Sequence, residues 1–313
     1  MSQPSQTLEF LARLESAAGF IETRLAYHLS AAGPAFEGTA GVAPHRLTAA
    51  MGHAVLGGGK RFRPFLVLES ARLFGLANAE VIDAAVSLEC LHCYSLVHDD
   101  LPAMDDDDLR RGRPTVHKAY DDWTAILAGD GLLTLAFEIL ARPQTHPDAA
   151  VRADLVVALA KAAGAGGMVG GQAIDLEAGK LGNPPAPSLE QIRTLQAMKT
   201  GALITYAVEA GAILGRASTT EREALKTYGD HLGFAFQIAD DLLDAEGDAA
   251  SVGKAVGKDV HAGKATLVGM LGIAAARAKL NETEAAAIAA LAPFGERALV
   301  LAEAARFVGT RRN

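Results

Sequence analysis

The sequence predicts an all-α fold, and three observations support that prediction. Alanine and leucine are abundant, and apolar residues recur three and four positions apart. Runs of alternating β-branched residues, which would favour strands, are few. Hydrophobic residues make up 50% of the 313 positions, which is enough for a large core and excludes a disordered chain. We therefore expect about 10–13 helices in a single domain spanning residues 1–313.

Glycine and proline mark where these helices should end. The predicted breaks lie at Ala32–Pro44, Gly57–Gly59, Leu101–Pro102, Arg111–Pro114, Ala141–Pro147, Lys180–Ser188 and Glu246–Gly263. None of the breaks is long and polar enough to indicate a linker between domains, and no repeat of fixed period is evident. One large helical domain is therefore favoured over two.

Charge and cysteine content exclude several classes of protein. A net charge of −8 argues against binding to nucleic acid or to an anionic membrane surface. Two cysteines exclude a disulfide scaffold and suit a reducing compartment, and Cys90 and Cys93 are predicted to pack inside a helix. The N-terminus lacks the pattern of a signal peptide, and Lys161, Glu209 and Arg277 interrupt the most apolar stretches. We expect a cytoplasmic protein that does not insert into a membrane.

The strongest motif is a cluster of six aspartates within residues 99–109. A run of charges is most often a solvated loop. Here the largely apolar segment Cys90–Val97 precedes it, and Pro102 would stop a helix just after Asp99 and Asp100. Carboxylates are unfavourable at the negative end of a helix dipole unless a cation binds there. The position therefore indicates a cation site.

A second cluster, at Gln237, Asp240, Asp241 and Asp244, places four polar side chains on one face of a predicted helix. Taken alone, this face could equally be a solvated polar stripe. Carboxylates from both clusters facing one another would hold divalent cations through oxygen ligands, and Mg²⁺ with a bound diphosphate fits best. Nine of the 37 acidic residues lie in these two clusters, so much of the negative charge is concentrated at the predicted site.

Basic residues that could bind a diphosphate occur at several places. Lys60 and Arg63 follow the glycine run Gly57–Gly59, although this segment lacks the Walker A spacing. Arg110 and Arg111 directly follow the first cluster and offer forked donors to phosphate oxygens. Other candidates are Lys199 and Thr200, the lysines Lys254, Lys258 and Lys264, and His92 on the same predicted helix face as Asp99. Each candidate has an alternative without a function: the glycine run could be a flexible loop, the lysines could be ordinary surface residues and His92 could be packed in the core.

The order and spacing of these motifs resemble the trans-isoprenyl diphosphate synthases, a family of short-chain prenyltransferases. The motifs are GGKRxRP, DDxxxxD followed by DLRRGRP, Lys-Thr, and FQxxDDxxD, and they extend from Gly57 to Thr266. Within the family the sequence is most similar to bacterial farnesyl diphosphate synthases. The resemblance implies an isoprenoid synthase fold, with helices around a deep central cavity, and a homodimer.

The resemblance also implies roles for the residues at matching positions. Mg²⁺, about three ions with Mn²⁺ as a substitute, would be bound by Asp99, Asp100, Asp105, Asp240, Asp241 and Asp244. The allylic diphosphate would contact Arg110, Lys199, Thr200, Gln237 and Lys254, with Lys258 as the alternative to Lys254, and isopentenyl diphosphate would contact Lys60, Arg63, His92 and Arg111. Gln172 and Asp175 match a further motif, whereas Leu267 stands where the family often has tyrosine.

The implied reaction joins isopentenyl diphosphate head-to-tail with dimethylallyl and geranyl diphosphates. Asp99, Asp100, Asp105, Arg110, Lys199 and Asp240 would be the catalytic residues. Tyr94, with Ser95 beside it, would limit the product to fifteen carbons, although helical geometry alone does not place Tyr94 below the metal site. Geranyl and geranylgeranyl diphosphate synthases are the alternatives. A terpene cyclase would not need the isopentenyl pocket, and a non-catalytic subunit would typically lack one aspartate motif.

Overall fold

The computed structural model describes residues 3–30, 43–184, 187–250 and 266–310. Apart from one two-stranded hairpin, the regular elements in these ranges are helices, which confirms the predicted all-α fold. The candidate lysines Lys254, Lys258 and Lys264 lie outside the described residues.

The elements follow one another in this order. The first half contains α1 (Gln3–Leu29), α2 (His45–Val55), α3 (Phe62–Arg72), α4 (Asn78–Asp99), β1 (Leu109–Arg110), β2 (Arg113–Pro114), α5 (Val116–Ala119), α6 (Asp122–Ala141) and α7 (Ala149–Ala163). The second half contains α8 (Met168–Leu181), α9 (Leu189–Gln196), a π-helix (Ala197–Gly201), α10 (Ala202–Leu214), α11 (Thr219–Ala250), α12 (Leu267–Leu271), α13 (Ile273–Ala290), a 3₁₀-helix (Ala292–Ala298) and α14 (Leu299–Thr310).

The sequence-based boundaries differ from the structure in a few places. Twelve α-helices of eight residues or more occur in the described ranges, in agreement with the predicted number. The helix before the first aspartate cluster ends at Asp99, as Pro102 predicts. In contrast, α11 continues to Ala250, past the predicted end at Glu246. The hairpin and the π-helix were not predicted, because neither has a signature in apolar periodicity.

The chain divides into two compact units. Unit 1 comprises Met1–Val157 and Ile213–Arg216, and unit 2 comprises Ala158–Ala212 and Ala217–Asn313. The organisation of residues 1–313 as one functional domain therefore stays a prediction.

Helix α4 forms the centre of unit 1 and contacts α1, α2, α3 and α6. Apolar side chains such as Leu88 and Leu91 are fully buried along it, as expected for a helix surrounded by others. Helix α6 packs against α4 and buries small residues, including Ala128 and Gly129. One polar contact crosses this packing, in which the Ser87 hydroxyl donates to the Ala136 carbonyl oxygen at 2.7 Å.

Helix α11 has the corresponding place in unit 2 and contacts α12, α13, α14 and the π-helix. Tyr228 on α11 is fully buried, and its hydroxyl donates to the Leu301 carbonyl oxygen at 2.7 Å. A buried phenol needs such a partner, because its hydroxyl loses water on folding. The bond therefore fixes α14 against the helix that carries the second aspartate cluster.

Two stretches of the described chain are long and apolar enough to cross a membrane, judged by length and composition alone. They are Asp122–Ala141 and Ala149–Leu181, and a third arises if Ile273–Ala290 and Ala292–Thr310, bent by 92°, count as one span. Half of the most apolar 18-residue stretch of α6 is buried inside the protein. Packing against α4 therefore accounts for much of the apolar character of α6. The sequence had not indicated α6 as one of the most apolar stretches.

The interaction between α1 and α4 depends on the buried carboxylate of Asp83. Arg24 donates two hydrogen bonds of 2.7 Å to it, and His28 Nε2 donates one of 2.8 Å. Burial alone would raise the pKa of Asp83, but these bonds outweigh burial and lower its pKa to about 2. Because the folded-state pKa lies below the ordinary value of 3.8, the stabilisation is complete above pH 3.8 and is lost as the pH falls toward 2.

We predict that Asp83→Asn lowers the free energy of unfolding by roughly 3 kcal/mol, because it leaves the Arg24 guanidinium and the buried His28 ring without their carboxylate. Urea unfolding at pH 7, followed by far-ultraviolet circular dichroism, measures this change. The control is Glu282→Gln, which removes an exposed ion pair with Lys279 and should leave the midpoint unchanged. An equal decrease in the free energy of unfolding for both substitutions would contradict the stabilising role of Asp83.

Candidate active site

The first aspartate cluster forms a tight turn at the end of α4 in unit 1. The Asp105 N–H donates to the Asp99 carbonyl oxygen at 2.9 Å, and the Asp107 N–H donates to the Asp100 carbonyl oxygen at 3.2 Å. These bonds satisfy carbonyl groups that a helix end leaves without partners. The side chain of Asp99 is half-buried and that of Asp105 is exposed. The turn thus brings the backbones of two predicted Mg²⁺ ligands together.

Asp100 has a different environment from its neighbours. It is only 3% exposed, and Arg110 Nε donates to its Oδ1 at 3.0 Å while Arg110 Nη2 donates to the same oxygen. Burial raises the pKa of Asp100, and the guanidinium opposes that shift. A predicted metal ligand and a predicted diphosphate donor are therefore bound to each other here.

The β1–β2 hairpin positions Arg110 and Arg111. The two residues of its turn, Arg111 and Gly112, both have positive φ, at 53° and 74°. That backbone geometry matches the twist of a two-residue hairpin loop, and it favours glycine at the second position. Arg111 Nη1 donates to the Gly58 carbonyl oxygen. The hairpin is thus attached to the glycine run before α3.

The glycine run is shaped for close contact with Arg111. Gly58 and Gly59 have positive φ, and a Cβ atom at Gly59 would lie 2.8 Å from the guanidinium carbon of Arg111. Any side chain at this position would therefore displace the arginine. Lys60 follows directly and is exposed. The sequence predicted that these segments share a function, and the structure brings Gly59 and Arg111 into contact.

His92 lies among the cationic side chains of unit 1. Its Nε2 is 3.2 Å from Arg63 Nη1. Burial lowers the pKa of His92 well below its ordinary value, and the charges of Arg63 and Arg111 lower it further. The imidazole is therefore neutral at pH 7, and Nε2 accepts the hydrogen bond because a guanidinium can only donate. We call Arg63, His92, Arg110 and Arg111 the basic cluster.

A small cavity adjoins the basic cluster. Its lining includes Asp100, Arg110, Arg111, Arg113 and His53, and its volume is about 30 Å³. That volume is enough for about two water molecules. Neither Arg113 nor His53 was identified as a candidate ligand from the sequence, although Arg113 belongs to the DLRRGRP motif.

Tyr94 and Ser95 lie on α4 just before the aspartates. Tyr94 is 7% exposed, and its ring meets that of His98 edge to face at 5.6 Å. The Ser95 hydroxyl donates to the His92 carbonyl oxygen at 2.7 Å. Gly129 on α6 leaves room for His98, since a Cβ atom there would lie 2.1 Å from His98 Nε2. Tyr94 is therefore held in a packed environment next to the turn.

The second aspartate cluster lies on α11 in unit 2, and its three carboxylates differ in exposure. Asp240 is half-buried and Asp244 is exposed. Asp241 is buried and accepts hydrogen bonds from the Leu267 N–H and Gln196 Nε2, each at 3.1 Å. Burial raises its pKa to about 6. Asp241 thus joins α11 to α9 and to the start of α12.

Gln237 approaches the same carboxylate, with Nε2 3.5 Å from Asp241 Oδ1. The sequence predicted Gln237 as a diphosphate ligand, and it faces Asp241 as the helical spacing requires. Gln196, which also holds Asp241, was not predicted. Its position 45 residues earlier in the chain gives no signal in the sequence.

Lys199 and Thr200 lie in the π-helix, a rare form that often occurs at functional sites. Lys199 Nζ donates to Asp175 Oδ2 at 2.6 Å, which joins two sequence-predicted residues. A Cβ atom at Gly171 would lie 2.3 Å from the Lys199 backbone nitrogen, and one at Gly233 would lie 2.7 Å from the Gly201 Cα. Two glycines therefore allow α8 and α11 to approach the π-helix closely.

The donors present fit Mg²⁺ bound together with a phosphate. Within the described residues, no three His, Cys, Asp or Glu side chains are grouped as a metal site. Mg²⁺ typically takes one or two carboxylates and completes its shell with water and phosphate oxygens. Asp99 is the last residue of α4 and Asp105 lies in the turn that follows, where Arg110 of the basic cluster binds Asp100. That combination of hard oxygen donors and phosphate-binding cations suits such a mixed shell.

Comparison with known proteins agrees with the motifs. The family model for polyprenyl synthetase matches residues 44–291. Farnesyl diphosphate synthase of Geobacillus stearothermophilus is 44% identical over 238 residues, which are 76% of this chain and 79% of that protein. The enzyme of the same name from Escherichia coli is 46% identical, over 74% of this chain and 77% of that protein.

The fold is also that of a solved relative. The apo crystal structure of an FPP/GFPP synthase from Zymomonas mobilis has a TM-score of 0.84 to this chain at 42% sequence identity, covering 97% of this chain and all of that one. Sequence, motifs and fold agree, and the chain belongs to the polyprenyl synthetase family.

Proposed function

We propose that this protein condenses isopentenyl diphosphate head-to-tail with dimethylallyl and then geranyl diphosphate, giving farnesyl diphosphate. The observation that carries the proposal is the basic cluster beside the turn of Asp99 and Asp105, which combines donors for a diphosphate with carboxylates for Mg²⁺. Relatives named farnesyl diphosphate synthase at 44% and 46% identity support the same product. The family model matches residues from both units, which supports a single functional domain.

The proposal assigns the two diphosphates to different residues. Arg63, His92 and Arg111, with Lys60 on the adjoining loop, would bind isopentenyl diphosphate. Neutral His92 accepts a hydrogen bond from Arg63, which orients the guanidinium without neutralising it. The allylic diphosphate would contact Arg110, Lys199, Thr200, Gln237 and Lys254. Arg110 and Lys199 are each paired with a carboxylate in the described structure, so both are held in place before substrate arrives.

Mg²⁺ would be held by Asp99 and Asp105 with Asp100 beside them, and by Asp240 with Asp241 and Asp244. When bound, the metal would neutralise charge that develops on the leaving diphosphate. Arg110 and Lys199 contribute electrostatic stabilisation of the same kind from the protein, and such stabilisation is often the main source of an enzyme's rate enhancement. We propose about three Mg²⁺ ions, as in the family, with Mn²⁺ as a substitute.

The chemical step needs no nucleophilic side chain. The allylic carbon–oxygen bond breaks and its electron pair leaves with the diphosphate, which produces an allylic cation. The double bond of isopentenyl diphosphate attacks that cation, and the proton lost from the new chain goes to the released diphosphate. Cationic donors lower the energy of the departing anion, and exclusion of water protects the cation from hydrolysis.

We predict that Asp99→Ala and Asp240→Ala each lower turnover by at least about a hundredfold, because each removes a carboxylate for the metal. The assay uses isopentenyl and dimethylallyl diphosphates with Mg²⁺ and identifies products by mass spectrometry. Asp154→Ala, an exposed aspartate on α7, is the control and should keep full activity. Near-normal activity of either variant would overturn the ligand assignment, and an inactive wild-type protein would overturn the function.

Product length gives an independent prediction. We propose that Tyr94 limits the chain at fifteen carbons, so that Tyr94→Ala should shift the products to twenty carbons or more. Loss of a buried aromatic side chain costs roughly 3 kcal/mol of stability, so the assay is run well below the unfolding temperature. Tyr120→Ala, a half-buried tyrosine next to α6, is the control and should leave product length unchanged. An unchanged product from active Tyr94→Ala would contradict the role of Tyr94.

We also propose a homodimer that forms through α6. Trp123, Ile126 and Leu127 on this helix are between 44% and 57% exposed, an unusual concentration of large apolar side chains. The double substitution Ile126→Glu and Leu127→Glu should convert the dimer to a monomer in sedimentation velocity. Leu8→Glu on α1, where the side chain is 70% exposed, should not. A wild-type monomer, or a dimer that survives the double substitution, would contradict this interface.

The proposed location is the cytoplasm, without a membrane-spanning helix. Cys90 and Cys93 are both buried and unbridged, which suits a reducing compartment. The buried face of α6 packs within unit 1, which supports the same assignment.

A further inference from the structure

Arg61 differs from the other cations that follow the glycine run. Its side chain has no exposed surface, whereas Lys60 beside it is exposed. Its backbone is in the left-handed region, with φ of 49° and ψ of 39°, immediately before α3 begins at Phe62. That strained conformation turns the guanidinium into the core of unit 1.

Glu89 is the main partner of this buried guanidinium. Arg61 Nη1 donates to Glu89 Oε1 at 2.6 Å, and Glu89 is only 2% exposed. Arg61 Nη2 donates to Glu22 at 3.2 Å and to the Val55 carbonyl oxygen. Burial lowers the pKa of Arg61, but the charges of Glu89 and Glu22 and the hydrogen bond to Glu89 act against it, and the net effect is a raised pKa that keeps the arginine charged. A pair so completely removed from water must keep its geometry, because separating it would leave two unpaired charges.

The same carboxylate also lies near the hairpin. Arg111 Nη2 is 4.0 Å from Glu89 Oε1, while Arg111 Nη1 donates to Gly58. Glu89 is also one helical turn before His92, which holds Arg63. The buried Glu89 carboxylate on α4 thus binds Arg61, which follows the glycine run, and lies close to Arg111 of the hairpin.

We propose that Glu89 and Arg61 are positioning residues that set the geometry of the isopentenyl diphosphate pocket. Neither touches the substrate: Arg61 is fully buried, and a carboxylate would repel a diphosphate. Glu89 acts through Arg61, which fixes the start of α3 and therefore Arg63, and through its charge on Arg111. The inference rests on the proposed function, because it names the substrate that these residues serve.

The test compares Glu89→Gln with Glu69→Gln. Glu69 on α3 is also buried, at 6% exposed, and pairs with Arg13 at 2.9 Å, away from the basic cluster. Both variants should unfold at lower temperature than the wild type. Only Glu89→Gln should raise the KM for isopentenyl diphosphate, by about tenfold or more, with the KM for dimethylallyl diphosphate changed less than about twofold. An unchanged KM for isopentenyl diphosphate would overturn the proposal.

A double variant covers the case in which Glu89→Gln does not fold. Arg61→Met with Glu89→Leu replaces the ion pair by apolar side chains, which often restores stability. It should fold and still show the raised KM, because Arg111 has lost the nearby carboxylate and the start of α3 has lost the Arg61–Glu89 pair. Recovery of both stability and KM would show that each residue serves only to neutralise the other, and would overturn the proposal.

Binding can also be measured without turnover. Calorimetric titration of isopentenyl diphosphate should give a Kd about tenfold weaker for Glu89→Gln than for the wild type or Glu69→Gln. An inactive wild-type protein that shows this difference would refute the condensation reaction while supporting the positioning role. Equal dissociation constants in an active enzyme would refute the positioning role alone.

Discussion

The pairing of buried charges along α4 determines how unit 1 is built. This helix is surrounded by other helices, yet it carries buried carboxyl groups at Asp83 and Glu89, and Asp100 caps its end. Each carboxylate meets a cation from a different segment: Arg24 from α1, Arg61 from the loop after the glycine run and Arg110 from the hairpin. Because an unpaired buried charge is costly, each pair specifies which segment lies against which turn of α4. Apolar packing alone would leave that arrangement less defined.

Burial also distinguishes members of the same charged motif from one another. Three cations, Lys60, Arg61 and Arg63, occur within four positions, but only Arg61 enters the core. In the second cluster Asp241 binds backbone and amide groups, whereas Asp244 is exposed. Each of these two motifs of like charges thus contains one member that is buried and bound within the protein. Pre-organisation of this kind reduces the ordering that binding requires.

Much of the fold and of the candidate site could be predicted from the sequence. Helical periodicity is a strong signal over long segments, and Pro102 fixed the end of α4 correctly. Residue types and spacing also identified the clusters. The direction of Arg61 could not be predicted, because it depends on one positive φ and on partners 28 and 39 residues away. A carboxylate at Glu89, within an otherwise apolar part of α4, was a signal that could have indicated its role.

The π-helix shows a different limit, and it also has a consequence for how this protein can change. Its position depends on backbone contacts at Gly171 and Gly233, where no side chain fits beside the neighbouring chain. Sequence periodicity does not register such a contact, since it depends on residues far apart in the chain. Those two positions are closed to almost all substitutions. Substitutions that change substrate preference must therefore occur at side chains around Lys199. The backbone that positions its ammonium group stays the same across variants.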